Sequence, residues 1–161
     1  MRRRVTNQHG MTLAEVLVAI AIIGVGLAAL AAAISIAGYG IQEGSQLSTA
    51  TFLANARLEQ VKNAAWTTTP GADNLGVSSG SAAPQSGGTT TFPDENPVAA
   101  PYTAYSRTVR VTDCGAGSGC AGITDANLRQ VTVTVAYRPL TGVGQSPATK
   151  SATVTMLIAK R

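Results

Sequence analysis

The sequence predicts an α+β fold in which one long N-terminal helix is followed by a small antiparallel sheet. Residues 16–42 contain no charged side chain, residues 47–65 repeat apolar and small residues at helical spacing, and three later segments alternate apolar with polar residues. A helix face repeats every three or four residues, whereas a half-buried strand alternates at every second residue. The chain of 161 residues is long enough for one small domain of this kind.

The first element, residues 11–38, is predicted to be a helix that crosses a membrane. A helix needs about 20 apolar residues to cross the hydrocarbon core of a bilayer, and the uncharged stretch from 16 to 42 has 27 residues. Three arginines at residues 2–4 precede it. The positive-inside rule then places the N-terminus in the cytoplasm and the C-terminus outside.

The second element, residues 39–66, is predicted to be an amphipathic helix that continues the first. No proline lies between Met11 and Trp66, so a single helix can run through both segments. Polar residues off the apolar stripe, including Arg57, are expected to be solvated. The residues of the predicted buried face are Leu47, Thr51, Ala54, Leu58, Val61 and Ala65.

Residues 67–101 are rich in Gly, Ser, Thr and Pro and show neither the helical nor the strand period. Such a composition is typical of segments without a packed core of their own. We therefore expect a long surface loop that is partly disordered.

The last third, residues 102–161, is predicted to be an antiparallel sheet of three strands. The strands fall within residues 102–113, 128–138 and 150–161, and turn-forming sequences rich in Gly and Pro separate them. Three strands with one apolar face need a cover, and the amphipathic helix is the candidate. The predicted inward-facing residues are Tyr105, Val109, Val111, Val131, Val133, Val135, Tyr137, Ala152, Val154, Met156 and Ile158.

The first forty residues fit more than one kind of membrane segment. A secretory signal peptide could be cut at the small residues of 35–37, but its apolar core normally has about 7–15 residues. A plain single-span anchor would account for the length of the helix. Neither accounts for the Gly10–Met11 junction or for Glu15, a carboxylate at the start of an uncharged segment.

The string HGMTLAEVLVAIAIIG resembles the leader-peptidase site of type IV prepilins and of type II secretion pseudopilins. In that family a short basic leader ends in Gly, commonly followed by Phe, by Thr-Leu-x-Glu and by an apolar helix. Gly10, Thr12, Leu13 and Glu15 match this pattern, and Met11 stands where Phe is usual. The resemblance implies cleavage between Gly10 and Met11 and N-methylation of Met11.

The resemblance also implies the pilin fold and a structural function. Residues 1–10 would be the leader that prepilin peptidase removes. The expected function is that of a minor pilin of the pilus-modification (PilV-like) type, in a type IV pilus. The alternatives are a minor pseudopilin of a type II secretion system and a DNA- or surface-binding tip pilin.

Partners would be the peptidase, other pilin subunits through the N-terminal helix and the inner-membrane assembly platform. The chain would move from the inner membrane into the pilus or pseudopilus.

Glu15 has two roles that can hold together. The resemblance makes it an assembly residue, with Thr12 and Leu13 beside it, because cleavage creates an α-amine that a neighbouring subunit can offer to the carboxylate. A carboxylate without a partner is costly in lipid, so this pairing would select the axial register of the subunit. Locally, Thr12 and Glu15 also have the spacing of a capping box, which is worth about 1 kcal/mol.

The sequence predicts no catalytic residue, no cofactor and no nucleic-acid partner. Ser78 lies in a string that matches a nucleophile elbow, and residues 117–122 match a dinucleotide-binding string, but both lack the required strand and helix. His9, the only histidine, would leave with the leader. The nine basic residues beyond residue 10 are scattered among eight acidic ones, which argues against a nucleic-acid footprint.

Cys114 and Cys120 flank a short glycine-rich loop between the first two predicted strands. A disulfide is expected outside the cytoplasm, and closing so short a loop is worth about 2 kcal/mol in the chain-entropy model. The mature chain would have no His and no third Cys, which argues against a metal site. Two free thiols remain the alternative at this stage.

Overall fold

The computed structural model describes residues 10–67, 69, 71–117, 119–139 and 149–160. The arginines at residues 2–4, His9 and the rest of the predicted leader before Gly10 lie outside the described residues. The chain forms two compact units that meet between Ile41 and Gln42. Each unit is described by itself.

The first unit is the beginning of a single helix, α1, which runs from Leu13 to Lys62 over 50 residues. Every described residue from Gly10 to Gln42 is exposed. A helix that is apolar all round belongs in a core or a membrane. Among the described residues α1 is the one helix long and apolar enough to cross a membrane by length and composition.

The second unit combines the rest of α1 with two antiparallel sheets, so the predicted α+β class is confirmed. A hairpin of two two-residue strands forms one sheet, and the three predicted strands form the other, in the order in which they follow one another along the chain. Val133 in the central strand pairs with Val109 on one side and with Val154 on the other. The strands are β1 (Gln85–Ser86), β2 (Thr89–Thr90), β3 (Tyr105–Asp113), β4 (Leu128–Tyr137) and β5 (Lys150–Ala159).

The core lies between one face of the larger sheet and α1. Alternation along the central strand buries Val131, Val133 and Val135 completely, as their period of two predicts. On these strands Val154, Met156 and Ile158 are only partly buried. The helix contributes Ala50, Leu53, Ala54, Leu58 and Val61 to the same core.

The predicted helix face is correct in part. Ala54, Leu58 and Val61 are buried, but Thr51 and Ala65 are exposed, and Leu47 retains 46% of its surface. Ala65 lies beyond the end of α1 at Lys62, and Leu47 precedes the first buried residue, Ala50. At about 100° per residue, Leu53 and Thr51 point to nearly opposite sides of the helix. Burial of Leu53, which the sequence analysis missed, therefore exposes Thr51.

The segment 67–101 packs against the larger sheet. The expectation of a partly disordered surface loop did not include this packing. Leu75 and Val98 are buried in it. Its backbone bonds to the outer edge of β3, where Glu95 and Arg107 exchange two hydrogen bonds of 2.8 and 2.9 Å and the Ser78 amide donates to the Val111 carbonyl at 2.8 Å. Thr68 and Pro70 lie outside the described residues.

A buried ion pair connects this segment to β4. Arg129 donates to Asp73 at 2.5 Å, and both side chains are more than nine-tenths buried. The second carboxylate oxygen of Asp73 accepts the Leu75 amide at 3.1 Å, and the guanidinium lies over the ring of Trp66 at 4.6 Å. Hydrogen bonds to both carboxylate oxygens reduce the cost of burying the charge.

Glu95 connects the same segment to β3 and to α1. Arg107 donates to Glu95 Oε2 through two nitrogens, at 2.6 and 3.0 Å, and through its third nitrogen to the Leu53 carbonyl of the helix at 3.1 Å. Arg57 reaches Glu95 Oε1 at 3.2 Å. The expectation that Arg57 is solvated is wrong, because its side chain is only 13% exposed. Burial lowers the pKa of the Arg57 guanidinium, and the charge of Glu95 opposes that shift.

Asp94 forms a more exposed pair with Arg110, in which two nitrogens of the guanidinium donate to the two carboxylate oxygens at 2.6 and 2.8 Å. These hydrogen bonds lower the pKa of the Asp94 carboxyl below its ordinary value. They also raise the pKa of Arg110. The ion pairs of Asp73, Asp94 and Glu95 therefore connect the segment 67–101 to the strands and to α1.

Asp73→Asn should destabilise the second unit by about 3 kcal/mol, because it leaves the Arg129 charge buried without its partner. Urea unfolding of the full chain in detergent, followed by the fluorescence of Trp66, measures this loss. Glu59→Gln is the control, since Glu59 forms an exposed pair with Lys62 at 3.6 Å and should cost less than about 0.5 kcal/mol. Equal effects of the two variants would contradict the assignment.

Asp94→Asn should lower stability at neutral pH by less than about 1 kcal/mol, since its pair is partly exposed. The pKa of Asp94 is lower in the folded state, so its contribution is complete above about pH 5 and is lost as the pH falls through the folded pKa. Urea midpoints of both chains between pH 2 and pH 7 should therefore converge toward about pH 2. A difference independent of pH would refute this origin.

Candidate functional site

The start of α1 is closed by reciprocal hydrogen bonds between Thr12 and Glu15. The Thr12 amide and the Thr12 hydroxyl donate to Glu15 Oε2 at 2.7 and 3.0 Å. The Glu15 amide donates back to Thr12 Oγ1 at 3.3 Å. This is the geometry of a capping box, with Thr12 as the N-cap and Glu15 as the third helical residue.

The Glu15 carboxylate uses one oxygen for the cap. Both contacts from Thr12 end on Oε2, and within the part of the chain that the structure describes no hydrogen bond reaches Oε1. A carboxylate has about four lone-pair sites. The group can therefore keep its cap and still accept a cation.

Gly10 and Met11 precede the helix and are exposed, with Met11 retaining 75% of its surface. A Cβ at Gly10 would meet no atom within 4 Å. Nothing in the described chain therefore requires glycine at this position. Leu13, the first helical residue, is also exposed.

The helix face that carries Glu15 continues with apolar residues. Ala14, Val18, Ala19 and Ile22 line an exposed groove next to its carboxylate. The spacing of 15, 18, 19 and 22 is that of one helix face. A charge thus lies at the head of an apolar stripe, where a carboxylate would need a partner once water is removed.

The two cysteines lie in the second unit and form a disulfide. Both are buried, and the bond closes the turn between β3 and β4, where Cys120 and Ile123 exchange two backbone hydrogen bonds of 2.9 Å. Ser118 in this turn is outside the described residues. No group of acidic, Cys or His side chains among the described residues could hold a metal ion.

The hydroxyl and the amide of Ser78 both form hydrogen bonds with the backbone of β3. Its hydroxyl oxygen accepts the Val111 amide at 3.0 Å, while its own amide donates to the Val111 carbonyl. The residue thereby extends the ladder of β3 by one position. The strand and helix that a nucleophile elbow requires are not found around it in the described chain.

The prokaryotic N-terminal methylation motif matches residues 5–31. The chain has a prepilin-like N-terminus. The match includes Gly10, Met11, Thr12, Leu13 and Glu15 and extends through the first turns of the apolar helix. No curated protein and no solved structure matches the chain.

The motif supports a pilin- or pseudopilin-type protein that prepilin peptidase processes. The long apolar α1 fits anchoring in a membrane. A pilin-type chain is a structural subunit, and the part of it described here presents no cluster suited to metal-assisted chemistry. The match confirms the resemblance to type IV prepilins and covers residues 5–31, which include the first 19 residues of α1.

Proposed function

We propose that this prepilin-like chain is a minor pilin of a type IV pilus. The observation that carries the proposal is the methylation motif at residues 5–31 at the start of a 50-residue helix. The small α+β head within residues 42–161 supports it, since a structural subunit needs a folded domain. A minor pseudopilin of a type II secretion system would carry the same motif.

Processing would begin with cleavage between Gly10 and Met11. The exposed chain before Leu13 offers this bond to a peptidase without unfolding of α1. Because the described chain does not itself require glycine at residue 10, a requirement for it would come from the peptidase. N-methylation of the new Met11 amine would follow.

In the membrane, residues 11–38 would form the span, with the leader in the cytoplasm and the head outside. The three leader arginines favour that orientation. The exposed apolar side chains of the helix, such as Ile20 and Ile22, suit contact with lipid and later with other helices. Gly24 and Gly26 have open space around their Cα atoms, which lets helix backbones approach closely.

Assembly would use the free oxygen of Glu15. Before cleavage its carboxylate is held by Thr12, as the capping box shows. Cleavage adds an α-amine at Met11, and the corresponding amine of a neighbouring subunit can reach Oε1 while the cap persists. Attraction between the two charges grows as water is excluded. Thr12 and Leu13 would then position the carboxylate for its partner.

Mass spectrometry of the protein recovered from its native membrane should find a chain that begins at N-methyl-Met11. A strain without prepilin peptidase is the control and should retain the leader. Recovery of an intact Met1, or of a chain that begins at Gly38 as signal-peptide cleavage would produce, would overturn the proposed processing.

Glu15→Val and Glu15→Gln should both be cleaved, yet both should enter sheared pili about tenfold less than the wild type, because each lacks the charge that the neighbouring amine needs. Comparison of the two variants separates the effect of the lost charge from that of the lost helix cap, since glutamine can still close a capping box. Immunoblots of pilus and membrane fractions measure incorporation.

Normal incorporation of Glu15→Gln, with a defect only in Glu15→Val, would reduce Glu15 to a helix cap. Wild-type protein that is absent from pili but present in secretion pseudopili would replace the minor-pilin assignment with the pseudopilin one. A wild-type chain that binds DNA with a strong salt dependence would favour the tip-pilin alternative.

A further inference from the structure

We infer that the outer edge of β5 is a docking site for an extended strand of another protein, with an acidic residue at the end of that strand that lies beside Lys160. This inference concerns the second unit and does not depend on the proposed pilin function. It rests on the backbone of β5, on a cavity beside it and on the charges at its ends.

The two edges of the three-stranded sheet differ. The edge at β3 is covered, because Glu95 and Val98 donate backbone hydrogen bonds to Arg107 and Tyr105 and Ser78 bonds to Val111. The opposite edge is β5, which pairs over ten residues with β4. Among the described residues no backbone group bonds to its outer side.

One hydrogen bond shows which backbone groups of β5 point toward β4 and which point away from it. The Lys160 amide donates to the Asn127 carbonyl at 2.9 Å, so residue 160 points toward β4. Bonding direction alternates along an antiparallel strand. The amides of Thr153, Thr155 and Leu157 therefore point outward, as a row that a further strand can bond.

The sequence of β5 does not protect this edge. Natural edge strands carry charges, Pro or bulges that prevent pairing. In β5 the one charge is that of Lys150, its first residue, and residues 151–159 contain no charge, no Pro and no Gly. An unprotected edge of this length is suited to strand addition, in which backbone bonds supply affinity.

The apolar face beside β5 is also incompletely covered. Val154, Met156 and Ile158 are half-buried, while Val133 and Val131, the β4 partners of Val154 and Met156, are fully buried. A cavity of about 320 Å³ opens at the end of the strand, lined by Trp66, Ile158 and the three residues that precede Trp66. An inward side chain of an added strand would enter this cavity, so the partner needs an apolar residue there.

The charges at the ends of β5 define the partner. Lys150 and Lys160 flank the uncharged row, and Lys62 borders the cavity. Lys150 is paired with Glu43, and Lys62 with Glu59. Pairing of two copies of β5 over their whole length would set Lys150 opposite Lys160, and like charges directly opposite are destabilising. Lys160 forms no ion pair among the described residues, so a strand with an acidic residue beside Lys160 is attracted there.

The test uses the full chain in detergent and a fluorescent peptide of about nine residues, with alternating Val and Thr, one Leu near the end that lies beside Ile158 and a Glu at each end. Fluorescence anisotropy should show saturable binding. Thr155→Pro should weaken binding about tenfold, because it removes an outward amide and leaves the β4 ladder in place. Thr155→Ala is the matched control, since it loses the same hydroxyl contact with Thr132 but keeps the amide.

A second pair of measurements stays informative if Thr155→Pro does not fold. The peptide with Lys at both ends should bind the wild type about fivefold more weakly, and Lys160→Glu should reduce this preference. Three results would each overturn the inference. They are the absence of saturable binding, equal binding by Thr155→Pro and Thr155→Ala, and binding that does not depend on the peptide charges. Dimers of the wild type that Thr155→Pro abolishes would assign the edge to a second copy and also overturn it.

Discussion

A sheet of three strands cannot bury its own apolar face, and the second unit therefore depends on the packing of α1 against β3, β4 and β5. Ala50, Ala54 and Val61 are small enough to bring the helix close to the sheet, and all three are fully buried. The valines of β4 fill the centre of this contact. Every other feature of the unit, from the ion pairs to the open edge of β5, is arranged around that contact.

All three acidic residues of the segment 67–101 form ion pairs, in a chain in which 12% of residues are charged. With little apolar material of its own, the segment 67–101 cannot be held by burial alone. Asp73, Asp94 and Glu95 bind it to arginines of β3, β4 and α1. Since a buried acid is stable only with its partner in place, these contacts also favour one arrangement of the segment over the alternatives.

The elements with a strong period could be predicted, and those that depend on long-range contacts could not. Alternation located β3, β4 and β5, and the short pattern around Gly10 and Glu15 identified the N-terminus. The packing of residues 67–101 has no local signal, because Asp73 meets Arg129 across 56 positions. The burial of Arg57 was missed for the same reason. Its partner, Glu95, lies in a segment without any period.

The hairpin of β1 and β2 shows a second reason why part of the fold could not be predicted from the sequence. Two-residue strands such as Gln85–Ser86 are too short for alternation to be visible. Their pairing is set by the adjacent chain, where the Val77 amide donates to the Gln85 carbonyl at 3.0 Å. A pattern that the sequence does not carry can thus be imposed by a neighbouring segment.

Glu15 differs from the other acids in the solvent that it will meet. Asp113 and Asp125 also form no ion pair among the described residues, and their carboxylates accept backbone amides in turns. Those turns lie in the second unit, where water can solvate the remaining oxygens. A carboxylate at the head of an apolar helix loses that solvation when helices pack or enter lipid. Under the proposed processing, the Met11 α-amine of a neighbouring subunit would supply the compensating charge that the cap on one oxygen does not.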